Sequence, residues 1–207
     1  MSALTHVDGP ADAALTLVLA HGAGAPSDHP FMNAIAEGIA ARGVRVVRFA
    51  FPYMAQRRVD SKQRPPDRLP VLQETFREVI AAQDGRVAIG GKSMGGRVAS
   101  LIADEVGAEA LVVLGYPFHP PGRPEKLRTE HLAGLRTPTL ILQGERDPMG
   151  TRAEIADYAL SDAIRVRYLP DGEHSFKPRK RSGFSEADNL AQAVEQAAGF
   201  LLGPRSA

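Results

Sequence analysis

Cysteine is absent from the 207 residues. This excludes disulfides, thiolate metal sites and a cysteine nucleophile, and the fold therefore does not depend on an oxidising compartment. Charge of one sign is not in excess: 25 Lys and Arg against 24 Asp and Glu leave a formal net charge of +1. Bulk charge thus does not draw the chain to nucleic acid. Long apolar runs are missing, and no stretch approaches the ~18 residues that suggest a membrane span. Residues 1–10 are short and polar, with no basic segment leading into an apolar run, and do not read as a signal peptide. These absences predict a cytoplasmic chain without nucleic acid or membrane among its partners. No repeat of fixed period and no low-complexity linker interrupts it. No His, Asp or Glu cluster has metal-ligand spacing, so neither a metal nor a cofactor is expected.

What is present is an even alternation of two kinds of segment. Five short, nearly continuous apolar runs occupy residues 15–20, 44–49, 86–90, 110–114 and 139–142. They suit strands buried on both faces, as in a parallel sheet. A sixth, 164–169, alternates apolar and polar residues and predicts an edge strand. Helical patterns fill the gaps at 31–42, 69–82, 94–106, 124–134, 151–160 and 185–202. Gly43 is placed to end the first, and Ser185 with Asp188 to cap the last. The simplest architecture is α/β: residues 1–207 as a single domain, a three-layer α/β/α sandwich on a mostly parallel sheet of six to seven strands. The longest irregular stretch is 51–67, a length at which loops are often functional.

The strongest chemical signal is Gly91-x-Ser93-x-Gly95, set between an apolar run and a helical segment. A serine at the apex of a sharp strand-to-helix turn needs its flanks free of side chains that would strike the strand and helix, and glycine two before and two after supplies that. The helix start behind it points amides at developing negative charge. Lys92-Ser93 also mimics the end of a phosphate-binding loop. That motif, however, needs glycine at position 86, where Arg86 stands, and the residues between read as strand. A plain tight turn also competes.

The rest of the chain favours nucleophilic chemistry. An activated serine needs a base, and the base needs an orienting acid. Asp147 follows the fifth run and His174 the sixth, so the order is Ser, Asp, His, each at the carboxyl end of its own strand, where open α/β sheets place ligands. Glu145 is the next candidate acid and Asp171 a more distant one. Taken singly, Asp147 reads equally as a turn or cap residue and His174 as a surface histidine. The amides of Met94 and of Ala23, in the glycine-bearing loop after the first run, are assigned to an oxyanion hole. His21 reads as structural, tying that loop down. Gly22, Tyr116, Phe118 and His119 are candidate substrate-lining residues.

These segments resemble the α/β-hydrolase superfamily over residues 15–202. The stretches 19–24, 90–97 and 115–122 are similar to a small dienelactone-hydrolase-like group. That group also contains the hydrolase-like domain of a non-specific-lethal chromatin-complex subunit and its testis-expressed relatives. The resemblance implies esterase or thioesterase chemistry, with a small-molecule ester as partner. Two departures stand out. The 24 residues of 115–138 leave no room for a large lid, and the leading antiparallel strands are trimmed, since only residues 1–12 precede the first clear run. Ser93 stands where dienelactone-type enzymes often carry cysteine, so their lactone chemistry is not carried over. Basic residues crowd two loops, Arg57, Arg58, Lys62 and Arg64 in one and Lys177, Arg179, Lys180 and Arg181 in the other. They suggest an anionic substrate or, equally, a solvated surface. A non-catalytic interaction module that kept the fold is the reading from another class. Oligomeric state is not legible.

Overall fold

The computed structural model describes residues 4–203; the first three residues of the polar 1–10 segment lie outside them. Seven strands form one sheet: β1 (Thr5–Asp8), β2 (Thr16–Ala20), β3 (Arg45–Phe49), β4 (Val87–Lys92), β5 (Leu111–Leu114), β6 (Thr139–Gly144) and β7 (Ile164–Leu169), in the spatial order β1-β3-β2-β4-β5-β6-β7. All neighbours are parallel except β1, which runs antiparallel to β3. The helices are α1 (Pro30–Ala40), α2 (Pro52–Asp60), α3 (Leu69–Ala81), α4 (Met94–Ile102), α5 (Arg152–Ile155) and α6 (Glu186–Leu202).

The continuous apolar runs are continuous because both sheet faces are covered. Leu17 and Leu19 of β2 join a core with Ile35 and Ile39 of α1 and Ala193 and Ala197 of α6. Their neighbours Val18 and Ala20 face the opposite core, with Phe76 of α3, Val98 of α4 and Ile155 of α5. Each fully buried Leu, Ile, Val or Phe stabilises the fold by about 1.5–3 kcal/mol. The result is a three-layer sandwich. As its alternation predicts, β7 is an edge strand, with Arg165 and Arg167 exposed.

Four local expectations are corrected. The start of the sheet is not wholly trimmed: β1 pairs with β3, and Asp8 meets buried Arg48 at 2.8 Å. Residues 51–67 are not a loop throughout, because Pro52 opens α2, at a position where its missing N–H is harmless. The 124–134 segment is helical only in a 3-10 turn, Glu130–Gly134. It has no apolar stripe to bury, since Leu127 is exposed and Leu132 alone anchors it. The helix expected at 151–160 stops after Ile155, its one buried residue, although a Thr151–Glu154 capping box starts it well. The Ser185–Asp188 capping box at the head of α6 forms as predicted.

Candidate active site

From β2 the chain crosses to β3 on one side and later returns to β4 on the other. The carboxyl ends of β2 and β4 therefore flank a topological switch point, the usual place for a ligand in an open α/β sheet. Two of the predicted segments meet here: the loop after Ala20 and the turn at Ser93.

Ser93 adopts φ 51° and ψ −114° between β4 and α4. A positive φ at a non-glycine residue costs of order 1–3 kcal/mol, and the surroundings must hold it. Its amide donates to the Leu114 carbonyl at 3.0 Å, and its carbonyl accepts from the Arg97 amide at 3.0 Å. The flanking glycines are required by contact. A Cβ on Gly91 would lie 2.4 Å from the Gly95 carbonyl carbon, and one on Gly95 would lie 2.5 Å from the His21 carbonyl oxygen. Although Ser93 occupies the N-cap position of α4, its hydroxyl makes no capping hydrogen bond among the described residues.

Asp147 is fully buried after β6. Its Oδ2 meets His174 Nδ1 at 2.7 Å and accepts from Gln143 Nε2 at 2.9 Å, while Oδ1 accepts from the Met149 amide at 2.9 Å. Buried on every side, the carboxylate has its lone pairs engaged and directed. Gln143 was not singled out from sequence. It also accepts from the Tyr116 amide at 2.8 Å and donates to the Gly150 carbonyl at 3.1 Å. Its signal is a lone amide directly after the apolar Leu140, Ile141 and Leu142 of β6. The other candidate acids are engaged elsewhere. Glu145 pairs with Arg152 at 3.1 Å and accepts from the Asp171 amide. Asp171 is bound by Arg179 and Arg146, and the hydrogen bonds from Arg179 hold its carboxyl at about 2.

His174 projects from the loop after β7, which is pinned from beneath. Lys92 Nζ donates to the His174 carbonyl at 2.8 Å and sits 5.7 Å from the Phe31 ring centroid. Burial pulls the Lys92 ammonium down to about 8, against the opposing pull of Asp147 and Glu173.

Gly22, Ala23, Lys92, Ser93 and His174 line one cleft of about 270 Å³, with Phe31, Met32 and Met149 as its apolar walls. Met94 begins α4 directly behind Ser93. The Ala23 loop is held by His21, as its sequence context suggests. Phe51 N–H donates to His21 Nε2 at 3.1 Å, and Nδ1 faces the Gly22 carbonyl at 2.7 Å. That pairing requires a neutral ring with its proton on Nδ1, and burial accordingly pushes the imidazole down to about 4. Tyr53 of α2 donates its hydroxyl to the Ala23 carbonyl at 3.0 Å. The sequence does not announce this second support, because α2 buries only Tyr53 and Met54 and so lacks an apolar stripe.

Three predicted lining residues face elsewhere. Gly115, at φ 69°, turns the chain after β5 into the protein, so that Tyr116 and Phe118 are fully buried and pack on each other at 4.8 Å between ring centroids. His119 is buried as well, with Nδ1 near the Pro120 carbonyl and Nε2 3.4 Å from Glu154. The basic loops do not reach the cleft either. Arg58 pairs with Asp28, Arg64 with Asp60, Arg179 with Asp171, and Lys177 with Glu186 at 3.8 Å. None of the eight cations is among the lining residues.

A lidless, mostly parallel sheet, with a serine turn at its switch point and a histidine, backed by a buried aspartate, lining the same cleft, is the architecture of the α/β hydrolases. Residues 13–202 match the model of the alpha/beta hydrolase domain, and the chain belongs to that family. The structure is similar to XC6422 from Xanthomonas campestris, a serine hydrolase without a lid, at 21% identity, covering 98% of this chain and 90% of that one, with a TM-score of 0.71. It is similar to dienelactone hydrolase from Anabaena variabilis at 20% identity, covering 95% and 89%, with a TM-score of 0.72. A monoacylglycerol lipase from Paleococcus ferrophilus aligns at 12% identity over 97% and 100%, with a TM-score of 0.73. At these identities the likeness is one of fold. No helix among the described residues is long and apolar enough to cross a membrane.

Proposed function

We propose that the chain is a serine hydrolase, folded as one domain over residues 1–207, that acts on a small ester or thioester through an acyl-enzyme. The observation that carries this reading is the 2.7 Å contact of buried Asp147 with Nδ1 of His174, which lines the same cleft as strained Ser93. With Nδ1–H committed to the carboxylate, Nε2 is left as the basic nitrogen. His174 takes the Ser93 proton, Ser93 Oγ attacks the substrate carbonyl, and the tetrahedral oxyanion rests on the amides of Ala23 and Met94. The leaving alcohol or thiol departs with the His174 proton, and water then attacks the acyl-enzyme by the same route in reverse. Each oxyanion donor is worth about 3–4 kcal/mol of transition-state stabilisation.

The cleft volume lies at the small end for ligand sites, and its walls are Phe31, Met32 and Met149. These features favour a compact, mainly apolar acyl group. The anionic substrate suggested by the basic loops gains nothing from their placement. Purified protein incubated with a fluorophosphonate probe and read by intact mass tests the proposal. A single adduct on the wild type, absent from Ser93→Ala and slowed in His174→Ala, is the expected result. No adduct after prolonged exposure would overturn it and leave the interaction module as the better account.

A further inference from the structure

One turn along α4 from Ser93 lies a group of basic side chains that the proposed chemistry does not use. Arg97 of α4, Arg128, and His131 of the 3-10 turn are all half-buried. Two hydroxyls tie their elements together. Ser100 Oγ donates to the Arg97 carbonyl at 2.8 Å and lies 2.9 Å from His131 Nε2. Tyr116 donates to the Arg128 carbonyl at 2.8 Å. Burial and the charge of Arg97 both depress the proton affinity of Arg128 and of His131.

Like charges gathered this way repel one another, and an anion between them would relieve the repulsion. Yet among the described residues neither Arg97 nor Arg128 makes an ion pair. Buried Arg97 Nε has no hydrogen-bond partner, and the neutral Tyr116 hydroxyl is the group its guanidinium otherwise meets. Glu130, the acidic group that acts on His131, is exposed. Contrast Arg48, which is more deeply buried and meets Asp8 directly.

We propose that Arg97, Arg128 and His131 form a binding site for a phosphate group. Two guanidiniums offer N–H forks that match phosphate oxygens, and His131 supplies a third donor when protonated. The site is independent of the hydrolase reading, because its test reads binding and not turnover. Both arginine side chains can be replaced while the bonds that Ser100 and Tyr116 donate to their main-chain carbonyls stay in place.

The experiment is thermal unfolding of the full chain against inorganic phosphate, with acetate and chloride at matched ionic strength, for wild type, Arg97→Gln and Arg128→Gln. Phosphate should raise the wild-type Tm saturably, by about 3–6 °C at ten times its Kd, and acetate and chloride should not. Both variants should lose the shift and, with the repulsion relieved, unfold without phosphate at a Tm no lower than wild type. If either variant fails to fold, Arg128→Lys, which keeps the charge but loses the fork, should retain the fold and bind phosphate more weakly. No saturable shift, an equal response to acetate, or a shift retained in the Gln variants would overturn the site.

Discussion

Lys92 Nζ donates to the main-chain carbonyl of His174 at 2.8 Å, so the residue beside the turn serine anchors the loop that carries the candidate base. A buried lysine that holds a loop from β4 acts on geometry, and misplacement of a catalytic group by about 1 Å can cost 10²-fold. Lys92→Met should lower kcat by about 10–100-fold and leave KM within a few-fold, in steady-state kinetics on a reactive ester. An unchanged kcat would show that the loop stands without this tether.

The identity of the orienting acid is separable by substitution. Asp147→Asn keeps the shape of the site but can hold His174 in the wrong tautomer, and should reduce kcat by about 10⁴-fold. Glu145→Gln should change it less than about threefold, since Glu145 pairs with Arg152 and not with His174. The reverse ranking would transfer the role to Glu145.

His21 links acid stability to the Ala23 loop. Its folded pKa of about 4 lies below the unfolded 6.5. Between those values the unfolded chain binds the extra proton, so stability is complete above pH 6.5 and is lost as pH falls towards 4. Urea unfolding across that window should show wild type losing about 3 kcal/mol relative to His21→Asn, by the worth of 1.36 kcal/mol per pKa unit. Parallel curves would mean that the ring charges without cost.

Gly95→Ala places a methyl group 2.5 Å from the His21 carbonyl oxygen and 2.8 Å from the Ala20 side chain. Two backbones would have to part, at a cost of about 3 kcal/mol or more. A Tm depressed by roughly 6–12 °C is expected, and a near-neutral value would mean that the turn gives way more easily than its contacts imply.

The parts of this fold that were legible in the sequence are those whose burial is local and strong. The five apolar runs coincide with β2 to β6 to within a residue or two at each end, because both faces of each strand are covered. Ser93 and Asp147 stand at or just past the ends of β4 and β6, and His174 in the loop after the edge strand β7. The parts that were hidden depend on partners distant in the chain. β1 is half-exposed, with Val7 52% accessible, and becomes a strand only through its pairing with β3. α2 buries only Tyr53 and Met54, too little for an apolar stripe. The outward expectation for Tyr116 and Phe118 failed at Gly115, whose positive φ redirects the chain in a way no spacing announces.

The strand at the far edge, β7, carries exposed arginines at positions 165 and 167. A second molecule extending the sheet across this border would bring those cations against its own, and no carboxylate alternates with them along the strand. Repulsion therefore discourages runaway strand addition where an open sheet is most vulnerable to it, and at the opposite border the four-residue β1 offers too short a template. A protein built around a seven-stranded sheet is in this way guarded against aggregation at both margins.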